Sequence, residues 1–309
     1  KPDLVGLQEV AEWRQGPLND AAPFSCTGDS VDSKPPFDCS FTASNVRYNY
    51  LKLLLAQLNK GKDRYRKVKS NQEFDFEAPA DYNGVAGDGD LPGVNSNGEE
   101  NDRLTMRDVI LAKVGKSVKT SNVQTGHYHT LYSPQVGGLV TVHVVRGWLS
   151  TDVKVRNSPK FRFVDTHLEA FGDPAIRQAQ AKELVKVIKP PYVEGKLPTV
   201  LVGDFNSDDN TVSGGDRLAY NSLLHAGYVE RSTGNPLGCC LKSDILTDEQ
   251  GSPDDFDHQV DHVLTDSPKS VKLLNSSVTG LKPANGFWDS DHAGLFSTLS
   301  ISAPPSPAP

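Results

Sequence analysis

Short apolar runs that end at a polar side chain restrict the fold of this chain more than any other feature of its sequence. Val200-Leu201-Val202 leads directly into Gly203-Asp204-Phe205-Asn206, and the run from Leu4 to Val10 carries Glu9 near its end. Apolar runs of this length are typical of buried β-strands. Because side chains alternate along a strand, Asp204 and Asn206 are predicted to lie on one face, where they can orient a water molecule and a phosphate oxygen.

Three further segments repeat this arrangement. The run from Phe161 to Leu168 carries His167, the run from Val260 to Thr265 carries Asp261, and Asp291-His292 precede the run from Ala293 to Ser300. A buried carboxylate needs a partner, and His292 is a plausible partner for Asp261. A bond from Asp261 to one imidazole nitrogen would fix the tautomer and raise the basicity of the other nitrogen.

Each of these groups, taken alone, also has a structural interpretation. Asp204 and Asn206 can close a strand with a turn, His292 can be a structural histidine, and Glu9 can be a surface acid. Caps and turns do not easily explain five strand ends that all carry groups suited to metal or phosphate chemistry. The combination therefore favours a site assembled at one edge of the fold.

The remaining pattern is strand-rich, with two helices. The first is predicted from a cap at Ser44 to about Gly61, and the second begins at Pro174 after an Asp173 cap. Further strands are expected at Arg107 to Val114 and Leu139 to Val145. Residues 70–101 are rich in Gly, Asp and Asn and are expected to form a loop. Two sheets packed face to face with helices outside would satisfy this order.

The composition permits several locations and partners. The 309 residues contain no apolar run near the roughly 20 needed to span a bilayer, so we expect no stable membrane insertion. The net charge of −7 argues mildly against a protein that wraps nucleic acid. The basic segment Lys60–Lys69 could track a phosphate backbone through its lysines, arginines and Tyr65, or it could be a solvated helix end.

Four cysteines favour an extracellular location. A Cys26–Cys39 bridge is expected, with four free thiols or a cross-pairing as the alternatives. A Cys239–Cys240 bridge would be strained, because neighbouring α-carbons lie only about 3.8 Å apart. The chain opens at Lys1 without a signal peptide, so we expect a removed or omitted leader. Residues 303–309 are expected to form a Pro-rich tail or linker.

The ordered motifs PDLVGLQEV, DTHLE, VLVGDFN, VDHVL and SDH resemble the endonuclease/exonuclease/phosphatase superfamily. The resemblance runs from residue 2 to about residue 300 and includes likeness to secreted bacterial members. It implies one domain over residues 1–302 with a four-layered α/β sandwich fold, in which two mixed β-sheets pack face to face with helices outside.

The resemblance also implies a metal-dependent hydrolysis of phosphoesters, with Mg²⁺ (or Mn²⁺ or Ca²⁺) as cofactor. Asp204 would activate or position water, Asn206 would hold a phosphate oxygen, and His292 would contact the scissile phosphate or act as base. It assigns catalytic roles to His167, Asp204, Asn206, Asp261 and His292, metal ligation to Glu9 and Asp291, and substrate contacts to Arg107, Arg146 and Trp288.

One departure from the family pattern concerns a strand. Members have a strand before the one that carries the Glu, and it normally supplies an Asn to the site. The sequence starting at Lys1 does not contain it. This departure has three interpretations: the chain has been truncated or cleaved, another segment or chain supplies the strand, or the site is incomplete.

Several functions remain open on the sequence. Phosphodiester hydrolysis is expected, with nucleic acid slightly favoured as substrate. A lipid phosphodiesterase that acts on phospholipid head groups and a small-molecule phosphatase are alternatives. A catalytically inactive binding module on the same fold is the alternative from another class. No obligate protein partner is evident.

Overall fold

Two large β-sheets and three helices make up most of the molecule. The computed structural model describes residues 1–17, 31–32, 41–80, 100–115, 117–136, 140–188, 197–208, 215–233, 237–241, 252–284 and 286–303. The strands are β1 Leu4–Leu7, β2 Glu12–Pro17, β3 Val31–Asp32, β4 Asn45–Asn49, β5 Tyr65–Ala80, β6 Glu100–Lys113, β7 Val118–His127, β8 Gln135–Val136, β9 Val140–Val142, β10 Gly147–Val155, β11 Phe161–His167, β12 Thr199–Asp204, β13 Val229–Glu230, β14 Asp261–Thr265, β15 Val271–Thr279 and β16 Gly294–Ile301. The helices are α1 Tyr50–Leu58, α2 Pro174–Ile188 and α3 Leu218–His225.

The first sheet is built around β6. β5 pairs along one edge of β6, while β1 and β2 pair along the other edge, and β4 pairs with β2. The second sheet has the order β13-β14-β12-β11-β10-β7, in which β11 and β12 are parallel. The prediction of two mixed sheets therefore holds for the second sheet, whereas the pairings of the first are all antiparallel.

Alternate residues of β6 explain the layering. Ile110 and Ala112 pack between the sheets with side chains such as Phe163 of β11, while Val109 and Leu111 face α1. Helices α2 and α3 cover the other face of the second sheet around Leu201. Both faces of β6 are buried, which explains its continuous apolar run. The predicted four-layered sandwich is confirmed.

The helix predictions met different outcomes. Helix α2 begins at Pro174 as predicted, and Asp173 Oδ1 accepts a hydrogen bond of 2.8 Å from the backbone N–H of Ala175. The Ser44 cap was wrong: residues 45–49 form β4, and Asn49 caps α1 by accepting a bond from the N–H of Lys52. Pairing with β2 keeps residues 45–49 extended despite the apolar spacing.

The predicted loop over residues 70–101 was wrong at both ends. β5 continues to Ala80 and β6 begins at Glu100, since the two strands pair along their whole length. Residues 81–99 between them lie outside the described part, as do Cys26, Cys39 and residues 304–309. Among the described residues, none of the helices has the length and apolar character needed to cross a bilayer.

A groove separates β1 from β16. Within the described sheets β1 pairs only with β6, and β16 pairs only with β15. The groove has a volume of about 790 Å³, and Phe161, Phe163 and Val200 of the second sheet are among its lining residues. Two strand edges thus face a partly apolar space that ends at the candidate site.

Candidate active site

Strand register brings three predicted residues together. His167 lies opposite Asp204 in the parallel pair β11–β12, and Asp204 lies opposite Asp261 in the antiparallel pair β12–β14. Each residue stands at the end of its strand that faces the same edge of the second sheet. Neighbouring strands lie about 4.8 Å apart, so the three side chains share one location although they are far apart in sequence.

Gly203 allows this close arrangement. Its φ of +148° lies in the region that side chains rarely adopt, and a Cβ atom there would collide with the carbonyl oxygen of Thr166. Only glycine fits this position without displacing β11. The glycine of the GDFN segment therefore sets the position of Asp204 beside His167.

His292 is oriented by Asp261. The Nδ1 of His292 lies 2.8 Å from Asp261 Oδ2, and its Nε2 lies 4.0 Å from Asp204 Oδ2. Burial alone lowers the pKa of His292, but the hydrogen bond to Asp261 and the charges of Asp261, Asp204 and Asp291 raise this pKa to about 10. This raised pKa favours the imidazolium form of His292 in the metal-free protein, with Nε2 directed to the site.

His167 has the opposite protonation state. Burial and the charge of Arg146 hold the pKa of His167 well below its ordinary value. Arg146 Nη1 donates a 3.0 Å hydrogen bond to Nδ1 of His167, so the proton of the neutral ring lies on Nε2. This Nε2 is 3.7 Å from Asp204 Oδ2. The site therefore combines a neutral imidazole and a charged one.

Buried carboxylates surround the two histidines. Burial raises the pKa of Asp204 to about 7, and the charge of Asp261 adds to the rise. Burial likewise raises the pKa of Asp108 to about 7 and that of Glu73 well above its ordinary value. Asp108 is within hydrogen-bonding reach of the Glu73 side chain and of the Glu9 backbone. Buried carboxyl groups of this kind are typical of cation sites, because a bound cation compensates the charge of their ionised form.

The ligand geometry agrees with cation binding. Ligand atoms of Asp204, Asp261 and His292 lie within 4.8 Å of one another. Glu9 and Asp291, the two predicted metal ligands, line the same groove as these three residues. Their carboxylate oxygens are hard ligands that suit Mg²⁺, Mn²⁺ or Ca²⁺. The residues present therefore fit the divalent ion that the resemblance implies.

Two site residues have strained backbone. Glu9 has a φ of +55° and Asn206 a φ of +47°, both in the left-handed region that is unusual for residues other than glycine. Such conformations cost about 1–3 kcal/mol each and occur often at functional sites. β1 ends at Leu7, so this turn directs the Glu9 segment away from the line of the strand.

Asn206 is oriented differently from the prediction. β12 ends at Asp204, and the chain then turns, with the backbone N–H of Asn206 donating a 2.7 Å bond to Asp204 Oδ1. The Asn206 amide donates a 2.9 Å bond to the carbonyl oxygen of Leu168. The same-face argument from strand alternation therefore fails here, and the turn interpretation describes the local backbone.

The three predicted substrate contacts lie in different surroundings. Arg146 is 4% exposed and contacts His167, and Arg107 Nη1 lies 3.1 Å from Glu12. Trp288 is 4% exposed and packs edge-on against Phe256 in a small apolar cluster. Core packing therefore describes Trp288, since an indole buried in this way does not form an exposed pocket wall.

Sequence reasoning missed two buried acidic residues that lie next to His167. Asp108 and Glu73 lie with His167 in a group whose ligand atoms are within 4.8 Å of one another. The signal for Asp108 was a carboxylate at the start of the apolar run Val109–Ala112. Glu73 carried no such signal, because it fell in the expected loop.

Two adjacent cysteines lie beside His292. The Sγ atoms of Cys239 and Cys240 are in direct contact with each other, and the expected Cys26–Cys39 bridge lies outside the described residues. The sulfur atoms of Cys239 and Cys240 lie 3.5 Å and 3.7 Å from Nε2 of His292. The adjacent cysteines thus belong to the surroundings of the site.

Comparison with protein-family models and with curated proteins gives no match. Among solved structures, the catalytic domain of human Nocturnin matches with a TM-score of 0.50 and 14% identity over 97% of this chain and 81% of that chain. An endonuclease/exonuclease/phosphatase family protein from Leptotrichia buccalis matches with a TM-score of 0.49 and 15% identity over 97% of this chain and 88% of that chain. A second one, from Beutenbergia cavernae, matches with a TM-score of 0.49 and 17% identity over 99% of this chain and 64% of that chain. The chain therefore shares the fold of the Nocturnin catalytic domain, and its sequence motifs resemble the endonuclease/exonuclease/phosphatase superfamily.

Proposed function

We propose that the protein is a divalent-metal-dependent phosphoesterase that hydrolyses phosphodiester bonds. The observation that carries the proposal is the meeting of His167, Asp204, Asp261 and His292 at one edge of the second sheet, with Glu9 and Asp291 on the same groove. In-line attack of water on phosphorus requires a carboxylate that activates the water, hydrogen-bond donors for the phosphate oxygens and hard oxygen ligands for a cation. These residues supply all three.

Each residue has a distinct task in this proposal. Asp204, whose pKa of about 7 lies near neutrality, accepts a proton from the attacking water as its oxygen forms the bond to phosphorus. His292, held by Asp261, donates from Nε2 to the oxygen of the departing ester group as the phosphorus–oxygen bond breaks. The neutral His167 donates from its own Nε2 to a phosphoryl oxygen.

Glu9 and Asp291 are the proposed principal metal ligands, with Asp204 close by. A bound Mg²⁺ would neutralise charge that develops on the phosphoryl oxygens. The carboxylates of Glu9 and Asp291 would be held by backbone that turns sharply after β1 and just before β16. A neutral side chain at either position would leave fewer hard oxygen ligands.

We further propose that an extended polypeptide segment lies in the groove between β1 and β16. Two strand edges without a described partner flank it, and apolar side chains line it. One strand with alternating apolar residues would pair with both edges and cover those side chains. In the family pattern, such a strand supplies an Asn to the site.

The position of the basic segment bears on the substrate. Tyr65 is buried and pairs with Lys113, and Lys67 pairs with Leu111, so this segment lies level with the beginning of β1. Glu9 follows the other end of β1. The lysines are therefore not beside the site, and Tyr65 is not free to stack on a base. Their position gives nucleic acid no advantage over a small phosphodiester.

An extracellular location stays a proposal as well. The contact between the Sγ atoms of Cys239 and Cys240 supports it, because a disulfide formed there would persist mainly in an oxidising compartment. Secretion can be measured by detecting the full-length product in the medium of its natural host.

The direct test is an assay of bis-p-nitrophenyl phosphate, plasmid DNA, RNA and sphingomyelin with Mg²⁺ at two salt concentrations. We expect hydrolysis that EDTA abolishes and that His292→Ala lowers by about 100-fold or more. Steep salt inhibition confined to nucleic acid would identify a nuclease, and activity only on lipid dispersions would identify a lipid phosphodiesterase. Binding of these substrates without turnover by metal-loaded protein would instead support the inactive binding module.

A further inference from the structure

Two sulfur atoms lie against the ring nitrogen that the proposed reaction uses. The Sγ atoms of Cys239 and Cys240 are 3.5 Å and 3.7 Å from Nε2 of His292. The other ring nitrogen, Nδ1, is taken by Asp261. The three atoms lie within 4.8 Å of one another, so a single ion can reach all three after small movements.

The backbone holds the cysteine pair against the His292 segment. The N–H of Leu241 donates a 3.1 Å bond to the carbonyl oxygen of Asp291, and the N–H of Ala293 donates a 2.7 Å bond to that of Gly238. These two bonds bracket both cysteines and His292. Cys239 is 2% exposed. The arrangement is therefore fixed by the fold and does not depend on two mobile side chains.

The three ligands differ in kind from those proposed for Mg²⁺. Thiolate sulfur and imidazole nitrogen are preferred by Zn²⁺ and other soft ions, at about 2.3 Å and 2.0 Å in tetrahedral sites. Mg²⁺ selects oxygen ligands. A soft-cation site thus lies beside the hard-cation site proposed at Glu9 and Asp291.

We propose that Cys239, Cys240 and His292 bind a soft divalent cation such as Zn²⁺ when the cysteine pair is reduced. In the disulfide neither sulfur is a thiolate, so the site is absent. A dithiol reductant supplies two electrons and two protons, the S–S bond breaks to give two thiols, and the reductant becomes a disulfide. Cation binding then releases the two thiol protons and the proton on Nε2 of His292.

The consequence for catalysis rests on the proposed function. A cation bound to Nε2 of His292 prevents that nitrogen from donating to an ester oxygen. Reduced protein is therefore inhibited by Zn²⁺ in the presence of excess Mg²⁺, while oxidised protein is much less sensitive. Binding itself does not depend on any hydrolytic activity, so the two proposals can fail separately.

The test uses Co²⁺ and Zn²⁺ with the full chain in its oxidised and dithiol-reduced forms. Co²⁺ bound by thiolate has a charge-transfer band in the near ultraviolet, whereas Co²⁺ bound by carboxylates alone does not. We expect this band only with reduced protein, and its loss when Zn²⁺ is added. We also expect Zn²⁺ to bind the reduced form with a Kd lower by on the order of tenfold or more.

Variants distinguish cation binding at the cysteines from cation binding at the neighbouring carboxylates. Cys239→Ser/Cys240→Ser should abolish the band, and His292→Gln should weaken Co²⁺ binding while keeping a thiolate band. Cys240→Ser alone, at the less buried position, covers the case in which the double variant fails to fold. The proposal is overturned if reduced protein gives no thiolate band, or if oxidised and reduced forms bind Zn²⁺ equally.

Discussion

Asp261 Oδ2 lies 2.8 Å from Nδ1 of His292 across 31 positions of sequence. Asp261 begins β14, and His292 stands two residues before β16. The bond fixes which imidazole nitrogen faces Asp204 and keeps the ring charged. Asp261 therefore acts through His292.

Replacing Asp261 by Asn should lower kcat by roughly 10- to 100-fold with a small effect on KM, because the ring loses its orienting charge. Because Asp261 acts through His292, adding the change to His292→Ala should cost little more. The measurement is steady-state hydrolysis of bis-p-nitrophenyl phosphate with Mg²⁺. Asp289→Asn, an exposed neighbour, is the matched control. Independent, fully additive losses would contradict a shared role.

Replacing Glu9 by Gln should raise the Mg²⁺ concentration for half-maximal activity by about tenfold or more, since a proposed charged ligand is lost. Isothermal titration with Mg²⁺ measures the same change without turnover. Glu100→Gln, which alters an exposed acid at the start of β6, should leave Mg²⁺ affinity unchanged. An unaltered Mg²⁺ titration for the Glu9 variant would remove Glu9 from the ligand set.

Replacing Arg146 by Met should lower the free energy of unfolding by about 3 kcal/mol or more, because Glu169 would remain buried without its charged neighbour. Arg146 Nε lies 3.8 Å from Glu169 Oε2. Chemical denaturation measures the loss, and nitrogen NMR of His167 reports whether its proton leaves Nε2. Lys113→Met breaks an exposed ion pair with Asp63 and should cost much less. Equal losses in both variants would rule out a special role for Arg146.

The stability of the metal-free protein should fall as pH rises from about 4 to about 7. Asp204 and Asp108 have folded pKa values of about 7, raised from 3.8 by burial. A raised carboxyl pKa means that the folded state binds more protons in this window, so the free energy of unfolding decreases with pH. Thermal unfolding in EDTA measures this, and Asp204→Asn should make the decline shallower. A stability that increases over the same window would disprove the assignment.

A synthetic strand should stabilise the groove. We expect an eight-residue peptide of alternating Val and Thr to raise Tm and to slow amide exchange in β1 and β16, because it pairs with both edges. The same peptide with Pro at two central positions cannot form the ladder and is the control. Protection that appears elsewhere, or a Tm gain shared by both peptides, would argue against strand insertion.

The sequence by itself determined several local features. Apolar runs located the second half of β6 and most of β11, β12, β14 and β16, and the Asp173-Pro174 pair located the start of α2. Strands β7 and β10 were missed, because polar residues interrupt their apolar pattern. The ordered motifs with Glu, His, Asp and His also sufficed to predict the four-layered sandwich fold.

Only the tertiary structure decided how the side chains meet. Pairing of β11 with β12 and of β12 with β14 places His167, Asp204 and Asp261 side by side, and the turn after Asp204 gives Asn206 its orientation. Packing buried Trp288, set Arg146 against His167 and brought both cysteines to His292. The physical reason is that periodicity along a chain reports whether a residue is buried, whereas its partners depend on contacts between distant segments.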